Sequence, residues 1–173
     1  MENVTERIGK ALQDKFGGAI VKQELIVDFP TFTVKKEEIL NVLIFLYDYE
    51  DYKFQFMTSL CGVQYPDNAK EEEFCVVYQL HDMVQNQRIR IKVYTSEADI
   101  KVPSVTSLFK TANWLERETY DFFGINFIGH PQLKRILNMD EMISFPMRKE
   151  FPMEDGGRTD KDDRFFGRTV DNC

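Results

Sequence analysis

A chain of 173 residues, 43% hydrophobic and 13% aromatic, is long enough to bury one sizeable core and too apolar to be disordered throughout. Its net charge of −7 lacks the basic footprint of a nucleic-acid binder and gives no support for docking on anionic lipid. The longest apolar run, Ile39 to Tyr47, falls well short of the ~20 residues of a membrane span, and the acidic N-terminal stretch has no apolar signal core, so no secretory or transit peptide is expected.

In chain order, Val4, Ile8, Leu12 and Phe16 recur every four residues and predict an amphipathic first helix closed by Gly17-Gly18. Ile20 to Phe29 reads as a strand. Thr33 is expected to cap a second helix with Glu37 and Glu38 in its first turns and Ile39, Leu40, Leu43, Ile44 and Leu46 on its apolar side. Phe54 to Gly62 alternates as a strand, and Tyr65 to Glu73 is a polar loop. Phe74 to His81 and Arg88 to Tyr94 form a hairpin around Asp82–Gln87. In its second strand Ile89, Ile91 and Val93 alternate with Arg88, Arg90 and Lys92, the period of a sheet with one wet face. Ser96 to Pro103 leads to a long helix with Ser104 or Thr106 as cap.

On that helix Leu108, Ala112, Leu115, Thr119 and Phe122 fall on one stripe, with Val105 and Phe123 at its edge. Trp114, Arg117 and Asp121 lie roughly opposite. Arg117 and Asp121 read as an i,i+4 ion pair beside a large aromatic, a second contact surface for a partner. Gly124 ends the helix. Ile125 to Ile128 is a short extended run, Gly129-His130-Pro131 a turn, Leu133 to Leu137 one turn of helix, and Met139 to Pro152 extended chain lying on a surface.

Chemical motifs are sparse. Neither GxGxxG, GxxxxGK[ST] nor GxSxG occurs, and His81 and His130 lack metal-site spacing, so both read as structural. Three cysteines without a CxxC are too few and scattered for an iron–sulfur or four-ligand zinc site. Cys61 and Cys75 read as core thiols, Cys173 as an exposed terminal residue, and the lack of a disulfide framework suits a reducing compartment. Glu116, Glu118 and Asp121 are clustered carboxylates of the kind that serves acid–base catalysis, although Arg117 among them favours a structural or interface use. Arg135 and Arg148 offer donor forks that suit clamping carboxylates or carbonyls.

The runs Ala112-Asn113-Trp114-Leu115-Glu116-Arg117-Glu118-Thr119-Tyr120-Asp121-Phe122-Phe123-Gly124-Ile125, Phe127-Ile128-Gly129-His130-Pro131-Gln132-Leu133-Lys134-Arg135-Ile136-Leu137 and Pro146-Met147-Arg148-Lys149-Glu150-Phe151-Pro152 closely resemble the C-type subunit of the proton-pumping NADH:quinone oxidoreductase, respiratory complex I. Met147 stands for the usual Leu, Glu150 for the usual Asp, and Gly62-Val63-Gln64-Tyr65 carries Gln64 where the family usually has Asp.

The resemblance implies a cofactor-less scaffold in the hydrophilic arm, on the cytoplasmic side of the bacterial inner membrane. Its partners would be the D-type, quinone-site subunit, which resembles a hydrogenase large subunit, and the subunit holding the terminal iron–sulfur cluster. Iron–sulfur clusters, FMN and quinone belong to those and other subunits. Glu116, Arg117, Glu118, Asp121, Gly124, Gly129, His130, Pro131, Arg135, Arg148 and Pro152 would hold helix, turn and trailing segment in shape, with Trp114 facing the partner. The alternatives are the same module in a membrane-bound hydrogenase or ferredoxin-fed dehydrogenase, or a free-standing carboxylate enzyme. The expected fold is α+β, a two-layer sandwich of mostly antiparallel sheet with helices on one face. It spans residues 1–124, with a turn and extended docking segment at 125–152 and a charged tail at 153–173, loose in isolation.

Overall fold

The computed structural model describes residues 4–27 and 29–151. Three helices, α1 (Val4–Phe16), α2 (Ile39–Tyr47) and α3 (Ala112–Phe123), accompany seven strands: β1 (Ile20–Ile26), β2 (Phe29–Val34), β3 (Phe56–Gln64), β4 (Phe74–Asp82), β5 (Gln87–Thr95), β6 (Lys101–Pro103) and β7 (Asn126–Ile128). The main sheet runs β1-β2-β5-β4-β3, antiparallel except where β2 lies parallel to β5.

All three helices share one face of that sheet. Phe32 and Val34 of β2, Ile89, Ile91 and Val93 of β5, Val76, Tyr78 and Leu80 of β4 and Leu60 of β3 close into one core. Ile8 and Leu12 of α1, Val42, Leu43 and Leu46 of α2, and Ala112 and Phe123 of α3 complete it. Each buried aliphatic or aromatic of this size contributes about 1.5–3 kcal/mol, so the single shared core explains why α1, α2 and α3 cannot sit on opposite faces. This is the expected α+β sandwich.

Several expectations fail locally. The strand expected over Ile20 to Phe29 is two strands, β1 and β2, and Thr33, expected to cap a helix, lies inside β2 and caps nothing: it pairs with Lys22 on one side and Lys92 on the other. The alternation of Phe32 and Val34 with Thr31 and Thr33 is a strand pattern, and placement between β1 and β5 buries both sets. Helix α2 starts only at Ile39, after a 3₁₀ turn at Lys36–Glu38. Cys61, read as a core thiol, is exposed, whereas Cys75 is buried. Cys61 lies on edge strand β3 and points away from the helical layer, so its apolar neighbours in sequence do not cover it. Cys173, Pro152 and the segment 153–173 lie outside the described residues.

Strands β6 and β7 pair in parallel, Lys101 with Asn126 and Pro103 with Ile128. They tie together the chain entering and leaving α3, and Ser104 N donates to Ile128 O at 2.8 Å. The long helix therefore begins at Ala112, not just after Pro103; residues 104–111 are turns, and Ser104 caps no helix.

Candidate partner interface

Helix α3 is buried on two sides. Towards the sheet it presents Ala112, Thr119 and Phe123, with Leu115 and Phe122 only half-buried, so the stripe is rotated relative to the expected one. Closest approach is at Gly62 of β3, where an added Cβ would lie 2.7 Å from the Phe123 ring and 2.9 Å from Thr119 Cγ2. A glycine inside a strand is the sequence signal for such an approach.

Glu116, the residue between Ala112 and Thr119 on this side, has no exposed surface. Its Oε2 accepts from Ser104 Oγ at 2.7 Å and its Oε1 from Val105 N at 2.7 Å, which fastens the irregular segment 104–111 to the helix. Burial lifts this carboxyl to about 7, against the pull of the Val105 amide and the Ser104 hydroxyl.

The second buried side is polar and faces the trailing segment. Asp121 is fully buried; its Oδ2 accepts the amides of Ile136, Leu137 and Asn138 at 3.0, 2.8 and 2.9 Å, and its Oδ1 accepts Arg135 Nη1 at 2.7 Å. Burial alone would raise this carboxyl. The amides of Asn138 and Leu137, the Arg135 guanidinium and the Ile136 amide together hold it well below the usual carboxylate range. Arg135 also donates to Asp121 O at 3.0 Å, Met142 O at 2.5 Å and Ser144 O at 3.0 Å. Arg117 donates to Lys134 O at 3.1 Å and Arg135 O at 2.9 Å while lying over Trp114. The expected Arg117–Asp121 ion pair is thus corrected: each side chain reaches to the trailer, and Asp121 pairs with Arg135.

Arg148 closes the far end. Its Nε donates to Phe123 O at 2.8 Å, its Nη1 to Glu97 at 3.0 Å, and its guanidinium sits between the rings of Phe74 and Phe145. Buried Gln64 accepts Lys149 N at 2.7 Å and donates to Glu73 Oε1 at 2.8 Å. An amide does both, whereas the family's usual aspartate would face Glu73 without a proton to offer. Gly124 adopts φ +77° as the left-handed cap, and an added Cβ would lie 2.6 Å from the Phe145 ring and 2.9 Å from Arg148 Nη2. Gly124→Ala should therefore cost the ~1–2 kcal/mol of a left-handed non-glycine residue plus displacement of Phe145. Urea titration of the full chain tests this; a loss below about 0.5 kcal/mol, the size of an ordinary surface substitution, would contradict the geometry.

His130 accepts Gln132 N on Nδ1 at 3.0 Å, so its Nε2, 3.1 Å from Asn113 O, is the donor to that carbonyl. It pins the Gly129–Pro131 turn to the start of α3. His81 bonds Asn86 Oδ1 at 3.0 Å within the β4–β5 hairpin. Both histidines do the local work expected. Glu116 faces the core, Asp121 the trailer and Glu118 solvent, so the three carboxylates form no cluster. Among the described residues no three His, Cys, Asp or Glu side chains gather as a metal site.

Residues 133–137 make no helical turn, because the Asp121 carboxylate takes the amides there. The trailer instead bends through turns, with Met142 N on Met139 O, Arg148 N on Phe145 O and Phe151 N on Arg148 O. With Arg135 and Arg148 turned inward and Lys134, Asp140, Glu141, Lys149 and Glu150 left in solvent, it exposes Leu137 at 64%, Met139 at 74%, Ile143 at 94%, Met147 at 53% and Phe151 at 39%, alongside Trp114 at 60%. Large apolar side chains exposed together in this way are the mark of a candidate interaction surface.

Residues 32–156 match the family model of the respiratory-chain NADH dehydrogenase, 30 Kd subunit. The chain belongs to that family. The C-type subunit of NADH-quinone oxidoreductase from Methylobacterium sp. (strain 4-46) is 42% identical over 148 residues, which cover 86% of this chain and 67% of that one. The protein of the same description from Citrifermentans bemidjiense is 40% identical over 143 residues, 83% and 86% of the two chains. Among solved structures, the trypsin-resistant fragment (1-134) of Nqo5 superposes with TM-score 0.62 at 30% identity, covering 73% of this chain and 99% of the fragment. A chain of the membrane-bound sulfane sulfur reductase, an archaeal respiratory membrane complex, superposes with TM-score 0.71 at 24% identity over 87% of each, a likeness of fold. As a member of that family, the chain is one component of an NADH-quinone oxidoreductase, and its partners are other subunits of that complex. No helix among the described residues is long and apolar enough to cross a membrane.

Proposed function

We propose that this chain works as a cofactor-less brace: α3 and its trailer grip the hydrogenase-like, quinone-site subunit and the one with the terminal iron–sulfur cluster, shaping the quinone site. NADH-to-quinone electron transfer, coupled to proton translocation, then runs through clusters, FMN and quinone held by the partners, at the cytoplasmic side of the inner membrane. The observation that carries this reading is the exposure of Trp114, Met139, Ile143 and Met147 along α3 and the trailer, while Arg117, Asp121 and Arg135 are spent on holding the two together. The same module in a membrane-bound hydrogenase or ferredoxin-fed dehydrogenase would use this surface alike; the relatives described as components of NADH-quinone oxidoreductase favour NADH as donor. A free-standing carboxylate enzyme has little support, since Glu116 has no access to solvent.

Trp114→Ala tests the brace. In the free chain the variant loses only the contact with Arg117, about 0.5–1 kcal/mol for a cation–π pair, so melting of the purified chain should shift slightly. Co-purification of the other subunits should fall sharply. Unchanged co-purification, or a melting loss of core size, would refute the interface.

A further inference from the structure

A second surface lies on the side of the main sheet that no helix covers. The strand register puts Lys22, Thr33, Lys92, Val77 and Cys61 in one row across it, and Glu24, Thr31, Arg90, Gln79 and Ser59 in the next, with Arg88 beyond on β5. Thr31, Thr33 and Val77 are buried there, so the long arms of Arg90 and Lys92 stand half-buried on a flat, close-packed floor. The ion pairs among the described residues use Arg7, Lys22, Lys36, Arg135 and Arg148; Arg88, Arg90 and Lys92 take part in none. In a chain with 29 acidic and 22 basic residues, three cations in file along one strand with no carboxylate in salt-bridge reach among the described residues are an anomaly of placement.

The geometry points to an acidic polypeptide segment of a neighbouring subunit, laid along β5 with its carboxylates on Arg88, Arg90 and Lys92. This goes beyond the α3 surface and rests on the chain being one component of a complex. Alternate residues of a strand stand roughly 7 Å apart on one face, and carboxylates at i and i+4 of a helix roughly 6 Å apart, so a helix with acids one turn apart fits the file. A helix on a sheet face also completes the layer that a two-layer sandwich leaves open. The overall charge of −7 repels nucleic acid and anionic lipid at long range, whereas a short acidic segment sees chiefly the local cations.

Zero-length carbodiimide coupling of the intact complex, followed by peptide mass spectrometry, tests the assignment. Lys92 should be joined to an aspartate or glutamate of another subunit, and exposed Cys61, in the same row, should alkylate at least tenfold more slowly in the complex than in the isolated chain. The Arg90→Glu/Lys92→Glu variant should leave the complex at lower salt, with the melting of the free chain lowered only by the lost contact of Arg90 with the Phe29 ring, and Arg90→Lys/Lys92→Arg should restore the wild-type salt dependence. If Lys134 and Lys149 of the trailer couple to neighbours while Lys92 stays free and Cys61 reacts equally in both states, this proposal fails and the brace stands. Absence of coupling from all three lysines overturns both. Loss of binding to phosphatidylglycerol vesicles, with retention in the complex, would reassign the face to a membrane.

Discussion

Asp121→Ala is expected to free residues 136–144 from α3 while the five-stranded sheet stays folded and Arg117 and Arg148 still hold the two ends of the trailer. The carboxylate has no exposed surface and receives four donors, one of them the guanidinium of Arg135, whose side chain is itself 7% exposed. Removing one partner of such a pair leaves a buried charge without a counter-charge, a loss of about 3–5 kcal/mol. The loss is local because Arg135 keeps the Asp121 carbonyl and draws its remaining acceptors from the trailer, and the core beneath α3 is made by Ala112, Thr119 and Phe123. Hydrogen exchange of the full chain should show the amides of Ile136, Leu137 and Asn138 exchanging freely, with Val76 and Val93 of the central strands still protected. Asp121→Asn keeps the shape and loses the charge; it should release the same segment, which separates ionic anchoring from packing. Continued protection of those three amides in both variants would show that the trailer is held by something else. The sign with pH follows from the depressed carboxyl: its stabilisation is complete above the ordinary range near 4 and is lost only as pH falls below it.

This anchor also marks where reading from sequence succeeds and fails. Helix α1, strands β4 and β5 and the cap at Gly124 follow from periodicity and one glycine, because local pattern and final environment agree there. The buried stripe of α3 is misplaced by such a reading because charged residues are ordinarily assigned to water, and the segment that covers Arg117 and Asp121 comes from more than a dozen residues further along the chain. Strand β2 is hidden for a related reason: threonines that look polar in sequence become interior when strands lie on both sides. Strand β6 is three residues long and owes its pairing to β7, so no local pattern announces it. The motif residues are thus legible as a set, through resemblance, whereas their partners depend on contacts between distant segments. Gly62 and Gln64 are visible in the sequence as a strand glycine and a departure from the family pattern, but what they touch emerges only once α3 and the trailer are seen lying against β3.

Glu116 leads to the opposite pH behaviour. A carboxyl whose ordinary value is 4.5 and whose folded value is about 7 is worth about 3 kcal/mol to the protonated folded state. A raised folded value means that stability is complete below about 4.5 and is lost as pH rises towards 7, after which it levels off. Asp121 contributes no slope in that interval, being ionised in both states. The melting temperature of the full chain should accordingly fall between pH 5 and pH 8, by roughly 5–10 °C at the usual 2–4 °C per kcal/mol for a chain of this size. Glu116→Gln should abolish most of that fall, since the amide oxygen can accept Val105 N and the amide nitrogen can donate to Ser104 Oγ without any ionisation. The variant should then equal the wild type at pH 5 and exceed it at pH 8. Burial, with the neighbouring Glu116 charge second, keeps the Tyr78 hydroxyl protonated throughout this interval, so Tyr78 adds no slope of its own. A wild-type melting temperature flat across pH 5–8, or a slope that persists in Glu116→Gln, would mean that Glu116 ionises freely in the folded chain. The polar joint between α3 and residues 104–105 would then not be the pH-sensitive element of this protein.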